Sequence, residues 1–471
     1  MVTDGKEPNR VLKYFEDICS IPHGSRDTDR IAYYCEEFAR SHGLWYRRDD
    51  SNNVVIKKPA CGSNSDRAVI IQGHLDMVCA AQSDRKIDFK KDGLTLKTDG
   101  KFLWADGTTL GGDDGIAVAM ALAILESDDI VHPPLECIFT TDEEIGMLGA
   151  MALDTSDIEG RILLNIDSED EGIFTVSCAG GASVVISVPF TEVKSEKRGL
   201  KISVSGLTGG HSGVEIDKRR ANANIILAKL AAELSEHHNV ELCSIEGGEK
   251  DNAIPRSASA VVASDDIDAV KAAVYSLAKK YKAPYSETDP QMDITVSETD
   301  VTHIIKSGAV KFLSTVTDGI RTMSSDIDGL VETSSNLGIV RTEKDRVQAV
   351  ISVRSSVAAK KASLIKEISE LAEKCGASVD VEGEYPAWEF NKNSIIQRIA
   401  DEVYKEQTGS DAEFTAIHAG LECGIFCDKL DGLDCISFGP DIHDIHTPQE
   451  KLDIESTARV FEFLKECLKR L

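Results

Sequence analysis

The sequence predicts an α/β fold, a layered domain with a mixed sheet between helices, interrupted by a long α+β insert. Three observations predict it. Through residues 1–181, short apolar runs that each end in a polar cluster alternate with stretches of helical period. Residues 182–391 change to the order β-α-β-β-α-β, and residues 392–471 return to the first pattern.

Taken in order, Val11, Tyr14, Phe15 and Ile18, then Ile31, Tyr34 and Phe38, space out as two helices joined by IPHGS. Strand-like runs follow in NNVVIKK, AVIIQGHLDMV, LECIFTTDEE and RILLNIDSEDEG, with a helix over 116–125 (IAVAMALAIL) among them. In the insert, strands are expected at 201–204, 240–245, 259–263 and 292–296, with helices at 221–234 and 267–281. A second, similar set follows, with a helix at 304–316, strands at 337–342 and 347–353, a helix at 359–375 and a strand at 378–381. The insert therefore reads as two ferredoxin-like halves. A helix at 395–407, the strand CISFGP and a terminal helix presenting Val460, Leu464, Leu468 and Leu471 on one face complete the chain.

Composition narrows the function. The 471 residues carry 80 Asp plus Glu against 52 Lys plus Arg, a net charge of −28, which repels phosphate backbones and anionic lipid. Nucleic acid and membrane surfaces are not expected partners, and no apolar run approaches the ~18 residues of a membrane span. The N-terminus lacks a signal-peptide pattern, and the 12 cysteines are scattered through apolar stretches, which fits reduced thiols and a cytoplasmic protein. Cys423 and Cys427 form a close pair without a matching second pair, so no zinc knuckle is expected.

Five clusters carry candidate chemistry. VIIQGHLDMV ends a strand in His74 and Asp76, two apart and on one face, suited to a metal-bound histidine and the carboxylate that orients it, or to a core histidine. GTTLGGDDGIAVAM delivers Asp113 and Asp114 to a helix start, as caps or as ligands. TTDEEIG places Asp142, Glu143 and Glu144 after an apolar strand, where adjacent carboxylates need solvent or a cation. LLNIDSEDEG repeats this with Asp167, its remaining acids read as solvated. DIHDIHTPQE adds His443 and His446 after CISFGP. Together these supply a mixed nitrogen and oxygen donor set suited to two divalent metals, zinc foremost. No G-x-S-x-G elbow, P-loop, H-E-x-x-H helix or strand-to-helix G-x-G-x-x-G competes.

The ordered set GHLDMV, TTLGGDDG, TDEEIGMLGA, NIDSEDEG and IHTP resembles the M20 family of dinuclear zinc peptidases. With GGHSG, DNAIPR, ISVRSS and HAGLECG, it is most similar to that family's aminoacyl-histidine, carnosinase-type dipeptidases. The resemblance covers essentially the whole chain. It implies a zinc-peptidase catalytic domain in residues 1–181 and 392–471, with the insert as a lid. It also implies that His74 and Asp167 hold one metal and Glu144 and His446 the other, with Asp113 rather than Asp114 bridging. Asp76 would orient His74, and Glu143 would be general base to a zinc-bound water. From the lid, His211 would stabilise the oxyanion, and Asn252 and Arg354 would grip the substrate carboxylate. Gly420 would offer a backbone contact, and Glu422 either lines that pocket or is a buried structural acid. The implied cofactors are two divalent ions, zinc with cobalt or manganese as substitutes. The implied substrates are Xaa-His dipeptides including β-Ala-His and a broader dipeptide range, with N-acyl amino acid amidohydrolysis or a non-catalytic metal scaffold as alternatives. Either a monomer or a homodimer fits.

Overall fold

The computed structural model describes residues 2–471. The backbone forms two compact units, Met1–Ser177 with Phe390–Ala416 and Leu421–Leu471, and Cys178–Glu389 with Ile417–Gly420. The chain thus leaves the first unit after Ser177 and returns at Phe390, and the short segment Ile417–Gly420 goes with the second unit. Among the described residues, no helix is long and apolar enough to cross a membrane.

In the first unit an eight-stranded sheet runs Trp45–Arg48, Val54–Lys58, Leu135–Thr140, Val69–His74, Ile162–Asn165, Asp434–Ser437, Ile173–Cys178, Glu413–Ile417. Leu135–Thr140, Val69–His74, Ile162–Asn165 and Asp434–Ser437 are mutually parallel, flanked by antiparallel strands. Parallel strands are covered on both faces and read as unbroken apolar runs, and every residue of Val69–His74 and Leu135–Thr140 is buried. The register sets His74 beside Thr140, Gln72 beside Asn165 and Asn165 beside Ser437. Their carboxyl ends therefore share one edge, the usual position for a site in such sheets.

Helix Gly112–Glu126 is apolar on all sides from Ile116 to Leu125 and correspondingly buried, packed between helix Asn9–Cys19 and strand Val69–His74. The terminal helix Ile454–Arg470 starts with the Asp453 carboxylate accepting the Ser456 N–H at 3.0 Å and buries Val460, Leu464 and Leu468. Truncating the fully buried Leu464 to Ala would cost about 2–5 kcal/mol. A small sheet absent from the sequence expectation pairs Leu96–Thr98, Phe102–Ala105, Lys451–Asp453 and Ile442–His443. It brings the loop that holds His446 beside the turn that precedes Asp113.

The second unit holds one long sheet, Asp293–Thr299, Arg198–Ser205, Ala258–Ser264, Glu241–Gly247, Val331–Thr342, Arg346–Ser355, Gly180–Pro189, Ser378–Tyr385. Each half has a strand order of 4-1-3-2, and Gly247 pairs with Val340 to join them. The second half takes its first strand from Gly180–Pro189, ahead of the whole first half, so the two sets are nested rather than tandem. Alternate residues such as Val184, Ile186 and Val188, or Leu200, Ile202 and Val204, enter one core. The expected helix over 304–316 is shorter: His303–Lys306 is a strand paired with Thr191–Lys194, and the helix is Ala309–Thr315. The buried, β-branched Ile304 and Ile305 favour the strand, and Ser307-Gly308 separates it from the helix.

Candidate active site

The strand Val69–His74 delivers His74 to the edge of the sheet. Gly73 is required there, because a Cβ would meet Asp114 Oδ2 at 2.5 Å and Ala117 Cβ at 2.7 Å. That close approach lets the buried Asp114 carboxylate accept the His74 backbone N–H at 3.1 Å. The His74 ring donates from Nδ1 to the Asp76 carbonyl oxygen at 2.9 Å, while the Asp76 carboxylate lies 3.6 Å away. The main chain of Asp76 rather than its carboxylate thus takes the ring proton. The carboxylate instead accepts the Ser25 hydroxyl at 2.8 Å and the Glu143 N–H at 3.0 Å, which ties the base candidate to the same strand end.

Asp113 and Asp114 have non-helical backbone angles, and neither caps the helix that follows. Glu450 does that work: its carboxylate accepts the N–H groups of Leu110, Gly111 and Gly112 at 2.7, 3.2 and 2.7 Å. The freed Asp113 points one oxygen at each of two histidines. Oδ1 is 3.0 Å from His74 Nε2, and Oδ2 is 3.0 Å from His446 Nε2. Asp167 Oδ1 lies 3.6 Å from His74 Nε2, and Glu144 Oε1 lies 3.0 Å from His446 Nε2. His443 is elsewhere, edge-on to Phe102 at 5.7 Å. Asp142 also turns away, its carboxylate accepting the Arg26 N–H at 2.6 Å. Among the described residues two groups have ligand atoms close enough for a cation, His74 with Asp113 and Glu144, and His74 with Asp114 and Asp167.

This concentration of carboxylates is electrostatically unbalanced. Burial, with neighbouring carboxylates adding to it, raises Glu143 and Asp114 well above the usual carboxylate range and pushes Asp167 to about 7. Burial opposes charge on His74, but Asp113, Asp167 and Asp76 outweigh it and raise the ring well above 6.5. Asp113 and Glu144 lift His446 to about 10, and the two histidines hold Asp113 low against its burial. Glu144 Oε1 is buried without a hydrogen-bond partner, because the single Nε2 of His446 serves Asp113. A divalent cation would satisfy such a set, since one ring nitrogen cannot donate to two carboxylates but a cation can accept from all three.

Deeper in, Glu422 Oε2 accepts from Gln72 at 2.5 Å and Thr140 at 2.7 Å, and Asn165 donates to Gln72 Oε1 at 2.6 Å. Glu422 is only 1% exposed, and burial pushes it to about 7. Two acids expected to be solvated are not. Glu171 forms a two-point ion pair with Arg459, at 2.7 and 2.6 Å, and burial followed by Asp113 pushes Glu169 to about 7.

In the second unit His211 lies on the short ladder Gly210–His211 with Ala253–Ile254, and the Ser212 N–H donates to the Asn252 carbonyl at 2.9 Å. Asn252 is therefore brought to the His211 turn. Arg354 is buried on strand Arg346–Ser355, with Nη1 bonded to the Tyr385 hydroxyl at 2.7 Å and Nε unpartnered. Gly420 ends the segment that carries His418, whose Nε2 meets Ser334 Oγ at 2.7 Å. Burial and then Arg354 push His418 down to about 3.

Residues 70–470 match the sequence pattern of peptidase family M20/M25/M40. The chain belongs to that family. It is 34% identical over 474 residues to the cytosol non-specific dipeptidase of Escherichia coli (strain K12), with 98% of both chains covered. The crystal structure of aminoacylhistidine dipeptidase from Vibrio alginolyticus superposes with a TM-score of 0.93 at 32% identity, covering 100% of this chain and 98% of that one. Aminopeptidase PepT from Bacillus cereus, at 17% identity and a TM-score of 0.57 over 98% of each chain, shares the fold alone. In this M20 peptidase the sequence reading missed Glu450, Ser25 and the Gln72, Thr140 and Asn165 network. Only Glu450 left a trace, as an acid four residues beyond His446.

Proposed function

We propose that the protein is a metal-dependent dipeptidase acting on Xaa-His dipeptides, β-Ala-His among them, and on a broader dipeptide range. Asp113 carries this reading: its two oxygens face two different histidines, each with a further carboxylate within 3.6 Å. His74 and Asp167 would hold one divalent cation and Glu144 and His446 the other, with Asp113 shared. Asp114 is the weaker candidate for the shared position because its Oδ2 is engaged by the His74 N–H. The nitrogen and carboxylate donors favour zinc. When bound, such a pair polarises the scissile carbonyl and makes a water acidic.

The chain's own groups do the rest. Glu143, fixed through its N–H by Asp76, takes the proton of the attacking water and passes it to the leaving amine. His211 donates to the carbonyl oxygen as it gains negative charge. Arg354 and Asn252 hold the terminal carboxylate, for which a guanidinium fork is suited. The dipeptidase names of the Escherichia coli and Vibrio alginolyticus relatives support the substrate class. Cysteines free of disulfides among the described residues, with the cytosolic relative, support a cytoplasmic location.

The test strips the protein with chelator, restores zinc, cobalt or manganese, and assays Xaa-His, β-Ala-His, other dipeptides and N-acetyl amino acids. Metal-dependent dipeptide cleavage is expected, and its absence with every metal would sink the reading. Glu143→Ala should keep its metal by elemental analysis and lose about 10²–10⁴-fold in kcat.

A further inference from the structure

The His211 ring sits in a turn whose hydrogen bonds set its protonation. The N–H groups of Gly213 and Val214 both point at Nδ1, at 3.1 and 3.2 Å. An N–H can only donate, so Nδ1 presents its lone pair, and the proton of the neutral ring is then on Nε2. Protonating Nδ1 would set an N–H against two others, so the same contacts oppose the imidazolium. Gly213 permits this approach: a Cβ there would meet His211 Cε1 at 2.9 Å and the His418 carbonyl oxygen at 2.6 Å.

The turn is also closed on itself. Glu215 Oε2 accepts the His211 N–H at 2.9 Å, and the Glu215 N–H returns a bond to the His211 carbonyl at 3.2 Å. Its other oxygen pairs with Lys218 at 2.8 Å and Arg220 at 3.1 Å, and Arg220 in turn holds the Gly209 carbonyl. The charged or titratable groups facing the ring are Arg354 from strand Arg346–Ser355, His418 from Ile417–Gly420, and Glu215 of the turn itself. Burial, then Arg354, lower the ring below the usual histidine value, and Glu215 opposes them.

We infer that the turn 210–215 locks His211 as the neutral tautomer with its proton on Nε2, and that Glu215 is the positioning residue that closes the turn. A peptide carbonyl then meets an N–H donor that is still neutral near about pH 6.5, where a free histidine titrates. The consequence for turnover rests on the reading of His211 as oxyanion donor given above, but the tautomer does not.

The experiment is long-range ¹H–¹⁵N spectroscopy of the zinc-loaded protein labelled at its histidine rings, with His211 assigned from the signal lost in His211→Gln. The expected result is an unprotonated Nδ1 and a protonated Nε2, both unchanged as the pH is brought down through about 6.5, where a free histidine titrates. A proton on Nδ1, or titration to the imidazolium near the ordinary value, overturns the lock. Glu215→Ala should keep KM for a dipeptide and lower kcat about 3–10-fold, the range of one hydrogen bond's net worth, while the His211 signals begin to titrate. Unchanged kcat and unchanged ring signals would remove Glu215 from the role. The two readings fail differently. If the tautomer is as stated but His211→Ala retains full turnover, the oxyanion assignment falls and the lock stands. If His211→Ala is inactive and the wild-type ring titrates, the lock falls and the assignment stands.

Discussion

His74 and His211 carry the same ring in opposite hydrogen-bond settings. At His74, Nδ1 meets the carbonyl oxygen of the residue two positions on, which can only accept, so Nδ1 carries a proton whatever the charge on the ring, and Nε2 turns toward Asp113 and Asp167. At His211, Nδ1 meets the N–H groups two and three positions on, which can only donate, so the proton is on Nε2. The backbone decides which: the exit of a parallel strand offers a carbonyl, and a tight glycine turn offers amides. One ring is left suited to holding a cation and the other to donating a proton-bearing nitrogen.

Exchanging each ring for an amide should break this contrast most visibly. His74→Gln is expected to lose metal beyond the about 10–100-fold that removal of an outer partner costs, and turnover with it. His211→Gln, whose amide N–H reaches the same region as Nε2, should keep its metal and retain more kcat than His211→Ala. Equal metal loss in the two glutamine variants, by elemental analysis, would erase the distinction.

The next effect concerns the turn that aims Asp113. Glu450→Ala leaves three buried N–H groups of residues 110–112 without their acceptor. Metal affinity measured by chelator competition should fall about 10–100-fold, and an affinity equal to wild type would remove Glu450 from the support of this site.

The metal-free protein sharpens the electrostatic side. Burial pushes Asp167, Glu169, Glu422 and Glu450 to about 7, against an unfolded value of about 4, so between about pH 4 and 7 the native state binds more protons than the unfolded one. Stability is present below the unfolded value and is lost as pH rises through the folded one. His446, raised to about 10, extends the loss above pH 6.5. The melting temperature of chelated protein should therefore fall from pH 5 to 8, and added zinc should restore more at pH 8 than at pH 5. A flat or rising profile would contradict the buried-charge account.

The smallest effect is in the second unit. Tyr385→Phe removes the hydroxyl bonded to Arg354 and should raise KM about 2–10-fold with little change in kcat, the net worth of one hydrogen bond. A fall in kcat alone would place Arg354 in transition-state stabilisation instead.

Much of this was legible in the chain. Unbroken apolar runs ending in carboxylates or histidine signal parallel strands whose carboxyl ends share an edge, and period and composition are local properties. The choice among neighbours was not local. Asp113 and Asp114, or His443 and His446, are chemically alike in sequence, and only the register of the sheet and the clamp from Glu450, some 340 positions from Leu110, turn Asp113 toward both histidines while Asp114 meets the His74 N–H and His443 packs on Phe102. The nested second half of the long sheet was hidden for a related reason: its first strand pairs with segments far downstream.

The sequence by itself determined the alternation of strands and helices, the inventory of donors, and the turns that set the two histidine protons, because the groups meeting each Nδ1 lie within three residues. Tertiary structure alone decided which carboxylates converge, how far burial shifts them, and that Glu422 is buried among Gln72 and Thr140. Those outcomes depend on what surrounds a side chain in space, and a linear pattern does not contain that information.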